Sequence, residues 1–149
     1  MRATPMALAL AAAFLAGCGS EQEAYCDAVE ERQAELTEIA TAAEPGAVFD
    51  VLPIYQELAD EAPTDLRDEW RLVVGRLTTL QEAFVDAEVD PATYDPENPP
   101  EGLSRADRTA ISRAAADLVA PDTQDAMGGI EQHARDVCKT ELGGAPLGG

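Results

Sequence analysis

"LRDEWRLVVGRLTTLQEAF" runs from Leu66 to Phe84. Within it Leu66, Trp70, Val73, Leu77, Leu80 and Phe84 recur at intervals of four, three, four, three and four. An α-helix turns once in 3.6 residues, so this spacing draws an apolar seam down one face. Such a seam packs against other helices. It lasts under three heptads, too short for a free coiled coil, and so predicts the central helix of a bundle. Trp70 and Phe84 share the register of the aliphatic positions, which assigns them to the core rather than to ligand stacking. Thr64, following Pro63, is the expected cap, and Asp65 suits the positive helix start.

The segments on either side have the same period. No alternating run of Val, Ile and Thr is long enough for a strand. Upstream, Tyr25, Val29, Leu36 and Ala40 form a stripe with Cys26 and Ile39 beside it. Ser20 and Glu23 fit a capping box, which places the helix start near Ser20. Glu44-Pro45-Gly46 stops this helix. A shorter helix follows, with Val48, Val51, Leu52, Tyr55, Leu58 and Ala59 at helical spacing. Asp50 can cap its start, with Pro53 tolerated in the first turn; the alternative is a start near Pro45 and a kink at Pro53. Residues 89–102, "VDPATYDPENPPEG", hold four prolines and read as a loop. At this length a loop is either functional or loose, which makes it the candidate contact surface by elimination.

Ser104 and Asp107 open a fourth helix in a capping-box pattern, with Leu103, Ile111, Ala115 and Leu118 inward. Pro121-Asp122 breaks it. A last helix from about Asp122 carries Met127, Ile130, Ala134, Val137 and Cys138. Gly128 and Gly129 weaken it by about 1 kcal/mol each. The expected fold is all-α: an antiparallel bundle of four main helices plus one short helix. The domain spans residues 18–142, and 143–149 form a flexible tail.

The N-terminal residues 1–17 read as a signal segment. Arg2 is the positive n-region and Met6 to Leu15 the apolar core, too short to span a membrane at about 20 residues. It ends in Leu15-Ala16-Gly17-Cys18, which resembles the lipobox of bacterial lipoproteins. That resemblance implies a diacylglyceryl group on the Cys18 thiol and cleavage just before it. Two acyl chains hold a protein stably on a bilayer. The localisation implied is the extracytoplasmic face of the cell membrane. The competing reading is an ordinary signal that leaves a free Cys.

If Cys18 carries lipid, Cys26 and Cys138 remain. In an oxidising compartment such a pair bridges. The alternatives are two buried thiols or a metal site, the latter lacking further Cys or clustered His. In an antiparallel bundle the first and last helices lie side by side, which brings the two cysteines together and closes the fold with a terminal disulfide.

The 149 residues carry 29 acids against 10 bases, a formal charge of −19, or −20 once Arg2 is removed with the signal. This charge keeps the chain soluble and repels nucleic acid. Nothing in the residues points to an enzyme or a cofactor. His133 is the lone histidine, read as a surface or half-buried residue near a helix end, and no G-x-S-x-G, Cys–His or Gly-rich phosphate motif occurs. Asp86, Glu88, Asp90 and Glu97 occupy positions one, three, five and twelve of an EF-hand frame, but Pro91 stands where that loop needs Gly. They are weak candidates for a cation site.

Beyond the lipobox, "AYC", "LADEAPTDLRDEW" and "ARDVC" resemble segments of small, uncharacterised helical lipoproteins and secreted proteins of high-GC Gram-positive bacteria. The resemblance implies export and helical architecture. Two functions follow as expectations. The first is a membrane-anchored, non-enzymatic binding or accessory module with a possible protein partner. The second is an acidic divalent-cation-binding or ion-buffering surface protein.

Overall fold

The computed structural model describes residues 17–143. Among them the chain is all-helical. The elements are α1 (Gly17–Ala42), a 3₁₀ turn (Ala47–Phe49), α2 (Leu52–Glu61), α3 (Arg67–Asp86), α4 (Arg105–Leu118), α5 (Pro121–His133) and a closing π-turn (Ala134–Cys138). Four longer helices and one short one make the bundle, as the periodicities require.

All six seam residues from Leu66 to Phe84 are buried, and α2, α4 and α5 pack against α3. The α2–α3 hairpin is antiparallel. Arg67 Nε donates to the Ala62 carbonyl at 3.2 Å across the turn, and Tyr55 meets Trp70 edge to face at 5.2 Å. From α1, Tyr25, Val29 and Leu36 enter the core. Trp70 Nε1 donates to the Tyr25 hydroxyl at 3.1 Å, so α1 crosses the base of α3. Arg32 clamps α1 to α2 through Glu57 at 2.7 Å while also holding Glu35 at 3.1 Å.

Helices α4 and α5 follow end to end along α3. Arg76, halfway up α3, reaches Asp117 at the end of α4 (3.4 Å) and Asp122 at the start of α5 (3.3 Å). Thr123, 1% exposed, donates its hydroxyl to the Asp117 carbonyl at 2.8 Å and seals the joint. From there α5 descends α3 in the opposite sense, bringing His133 near Asp65. It reaches α1 through its closing turn rather than side by side along its length.

Helix starts differ from the expected caps. Backbone α1 is already helical at Gly17, so Ser20 lies inside the helix. Asp50 closes the 3₁₀ turn, its N–H bonding the Ala47 carbonyl, and Val51 precedes α2 without a side-chain cap. Thr64 sits in a turn in which the Leu66 N–H bonds the Pro63 carbonyl at 2.9 Å, and α3 starts at Arg67. At the starts of α2 and α3 the cap positions are held by buried Val51 and Leu66, neither of which makes a side-chain cap bond. Ser104 does cap α4: its Oγ accepts from the Asp107 N–H at 3.1 Å.

Two inward assignments shift. In α4, Ala114 is buried and Ala115 faces solvent, because the buried set Ile111, Ala114 and Leu118 steps by three and four. In the C-terminal helix, Val137 is 45% exposed. The π-turn reaches back five residues, and the wider turn carries Val137 off the face that holds Ala134.

After Cys138 the chain turns at Lys139, which adopts the left-handed region at φ 59°. It then runs back over α1. Leu142 is buried, and a Cβ on Gly143 (φ +87°) would stand 3.0 Å from Leu36 Cβ and 3.1 Å from the Gln33 carbonyl. Gly143, expected to begin the tail, is thus seated on the bundle; 144–149 lie outside the described residues. Leu142→Ala should lower stability by about 2–4 kcal/mol and Gly143→Ala by about 1–3 kcal/mol in urea unfolding. A tail that merely frays would leave both variants at wild-type stability.

Candidate functional site

The base of the bundle brings together a disulfide, an amide, an imidazole and a phenol. Cys26 and Cys138 are bonded, with S–S 2.06 Å and Cα–Cα 5.0 Å. Gln22, one helical turn before Cys26, donates Nε2 to the Cys26 sulfur at 3.1 Å. Its Oε1 lies 3.1 Å from His133 Nε2. An amide oxygen only accepts, so that ring nitrogen carries the proton. The imidazole packs edge to face on Tyr25 at 5.8 Å, and Nδ1 stands 3.9 Å from Asp65. The His133 side chain is 11% exposed, a near-core residue tied to the disulfide. Glu21 and Arg67 pair at 3.4 Å on the rim.

Tyr25 is the hub of this end. Burial pushes its hydroxyl up to about 12, although the hydrogen bond from Trp70 lowers it somewhat. Burial also raises the hydroxyl of Tyr55, with a smaller contribution from Glu131. For Tyr25 the folded value lies above the unfolded one near 10, so the neutral phenol favours the native state. That contribution is complete below pH 10 and is lost as pH rises from about 10 to 12.

The EF-hand-like frame is not assembled. Asp86 is the last residue of α3, and Glu88 takes the left-handed region at φ 52° to end that helix, where the Val89 N–H bonds the Phe84 carbonyl at 3.1 Å. Asp90 spends its Oδ1 on the Ala92 N–H at 2.9 Å, and Glu97 offers its own N–H to Asp95 at 2.8 Å. Among the described residues, no group of three or more His, Cys, Asp or Glu is arranged to hold a metal ion.

The 89–102 segment is an ordered chain of turns pinned to the core. Tyr94 meets Phe84 edge to face at 5.3 Å, and Phe84 meets Phe49 at 5.8 Å. Asp95 is held below the usual carboxylate range by the Asn98 side chain first and the Glu97 N–H second. Gly46, at φ +86°, lets the α1–α2 turn approach Ala92, 3.5 Å from where its Cβ would stand. The prolines show that this is not a helix; the aromatic pinning depends on Tyr94 and escapes any periodicity.

Leu15, Ala16 and the Cys18 side chain lie outside the described residues. Sequence reasoning missed Gln22, whose only signal is its i, i+4 relation to Cys26. No family model, curated protein or solved structure matches this chain.

The disulfide spans 112 positions. Replacing both cysteines, Cys26→Ala with Cys138→Ala, should cost about 2–5 kcal/mol in chemical unfolding. Thermal melts of the native protein should fall between pH 10 and 12. Tyr25→Phe should remove its share of that fall while costing about 1–3 kcal/mol at pH 7, because the Trp70 N–H loses its acceptor.

Proposed function

We propose that the chain is a lipoprotein held at the extracytoplasmic face of the cell membrane by Cys18, and that its helical domain is a non-enzymatic binding or accessory module. The reading is carried by one observation. Cys26 and Cys138 bond to each other, which uses two of the three cysteines and leaves Cys18 over, directly after Leu15-Ala16-Gly17. A pattern-level resemblance to small helical lipoproteins of high-GC Gram-positive bacteria points the same way. Among the described residues no helix is long and apolar enough to cross a membrane, so the acyl chains would be the hold that these residues cannot supply.

The anchor sets the orientation. The eight residues from Cys18 to Cys26 are helical and rise about 12 Å. The disulfide end, with Gln22 and His133, therefore faces the bilayer, and the opposite end of α3 points away from it. The alternative, an acidic cation-binding or ion-buffering protein, rests on the net charge and the Asp86–Glu97 spacing; the hydrogen bonds made by Asp90 and Asp95 do not favour it.

Intact mass of the protein extracted from membranes tests the anchor. The expected species begins at Cys18, carries diacylglyceryl and keeps one disulfide, and Cys18→Ala moves the protein to the soluble fraction. A bare Cys18 on a protein that fractionates away from membranes contradicts the proposal.

A further inference from the structure

Helix α4 presents three arginines to solvent in a protein of formal charge −19. Arg32, Arg67, Arg71, Arg76 and Arg135 each pair with a carboxylate, whereas Arg105, Arg108 and Arg113 form no ion pair among the described residues. Asp107, the acid within their stretch, is engaged by the Ser104 hydroxyl at 2.6 Å. Arg105 and Arg108 also stand in the first turn of α4, where the positive helix end disfavours cations. Local preference is broken there with no ion pair among the described residues that offsets it, a pattern typical of functional surfaces.

The shape of the face suits a second chain. Two shallow, open hollows adjoin on it, both lined by α4 alone, and share Arg105, Thr109 and Arg113. Ser112 and Ala116 line one, and Ala106 and Ala110 the other, so small side chains let a neighbouring backbone come close between the guanidinium groups. A guanidinium fork matches a carboxylate with two parallel hydrogen bonds.

We infer that the outer face of α4 docks an acidic segment of a protein partner. Anionic lipid has the same charge but the wrong place. Helix α4 ends beside Arg76, and α5 occupies the lower half of α3 down to Asp65. Arg76 lies nine residues above Arg67, about 13 Å along the axis. If Cys18 is anchored, the arginine face stands farther from the bilayer than a Debye length of about 8 Å. This choice of protein over lipid rests on the anchor reading; the docking face itself does not.

The test uses the full-length protein and a fluorescent 20-residue helical peptide rich in Glu, with phosphatidylglycerol vesicles run in parallel. Wild type should bind the peptide, more weakly as salt rises, and Arg105→Gln, Arg108→Gln and Arg113→Gln combined should weaken it by about tenfold or more. Arg71→Gln, an exposed arginine elsewhere, should leave binding unchanged. Where circular dichroism shows the triple variant unfolded, Ser112→Glu takes its place with the same expected loss. Equal binding by wild type and variant, or no peptide binding at all, overturns the proposal. Vesicle binding that depends on the three arginines without peptide binding overturns it in favour of lipid. Lipidated Cys18 with a face that binds nothing removes the docking surface and keeps the anchor; a bare Cys18 with peptide binding does the reverse.

Discussion

Trp70 is fully buried, and its indole N–H needs an acceptor where water does not reach. The Tyr25 hydroxyl provides it at 3.1 Å, and the same indole makes a T-shaped contact with Tyr55 at 5.2 Å. One side chain on α3 therefore dictates where α1 and α2 sit. Leaving a buried donor unpaired costs about 1–3 kcal/mol, a large part of the stability of a domain this size. With the three aromatic residues locked, the remaining seam down α3 has one direction left open, and α4 and α5 fill it.

The first and last described segments are then fastened to each other. The disulfide ties the start of α1 to the end of the C-terminal helix, and Leu142 and Gly143 run on over α1. Closing a loop of 112 positions mainly restricts the unfolded chain, while Leu142 adds apolar burial in the folded one. These contributions reinforce each other because the π-turn and Lys139 aim the chain after Cys138 back at α1.

Charge is sorted by the fold rather than by the sequence. The acids are spread from Glu21 to Glu141. Among the described residues, Arg32 joins α1 to α2, Arg67 joins α3 to α1 and Arg76 spans the α4–α5 joint, Arg71 and Arg135 pair within their own helices, and three more gather unpaired on the open side of α4. The Arg32 and Arg76 side chains are about one-third exposed and their carboxylate partners more so, so these pairs stay screened by solvent; the three α4 arginines are exposed.

The sequence by itself determined the helices and pointed to the pairing of the cysteines. A 3.6-residue apolar period is a local property, so the six seam residues, the α1 stripe and the Ser104 cap were legible without a fold. Cysteine arithmetic named Cys26 and Cys138 on the expectation that Cys18 carries lipid, and the structure bonds that pair. Tertiary structure alone decided the rest. Thr64 and Asp50 read as caps, yet buried Leu66 and Val51 hold the cap positions instead. Val137 read as core until a π-turn, invisible to a fixed period, rotated it outward. Gln22 met His133, and Tyr94 met Phe84, through contacts between residues distant in the chain. A period along the chain records which side of a helix is apolar; it holds no record of which other helix that side will find, and that choice belongs to the packed core.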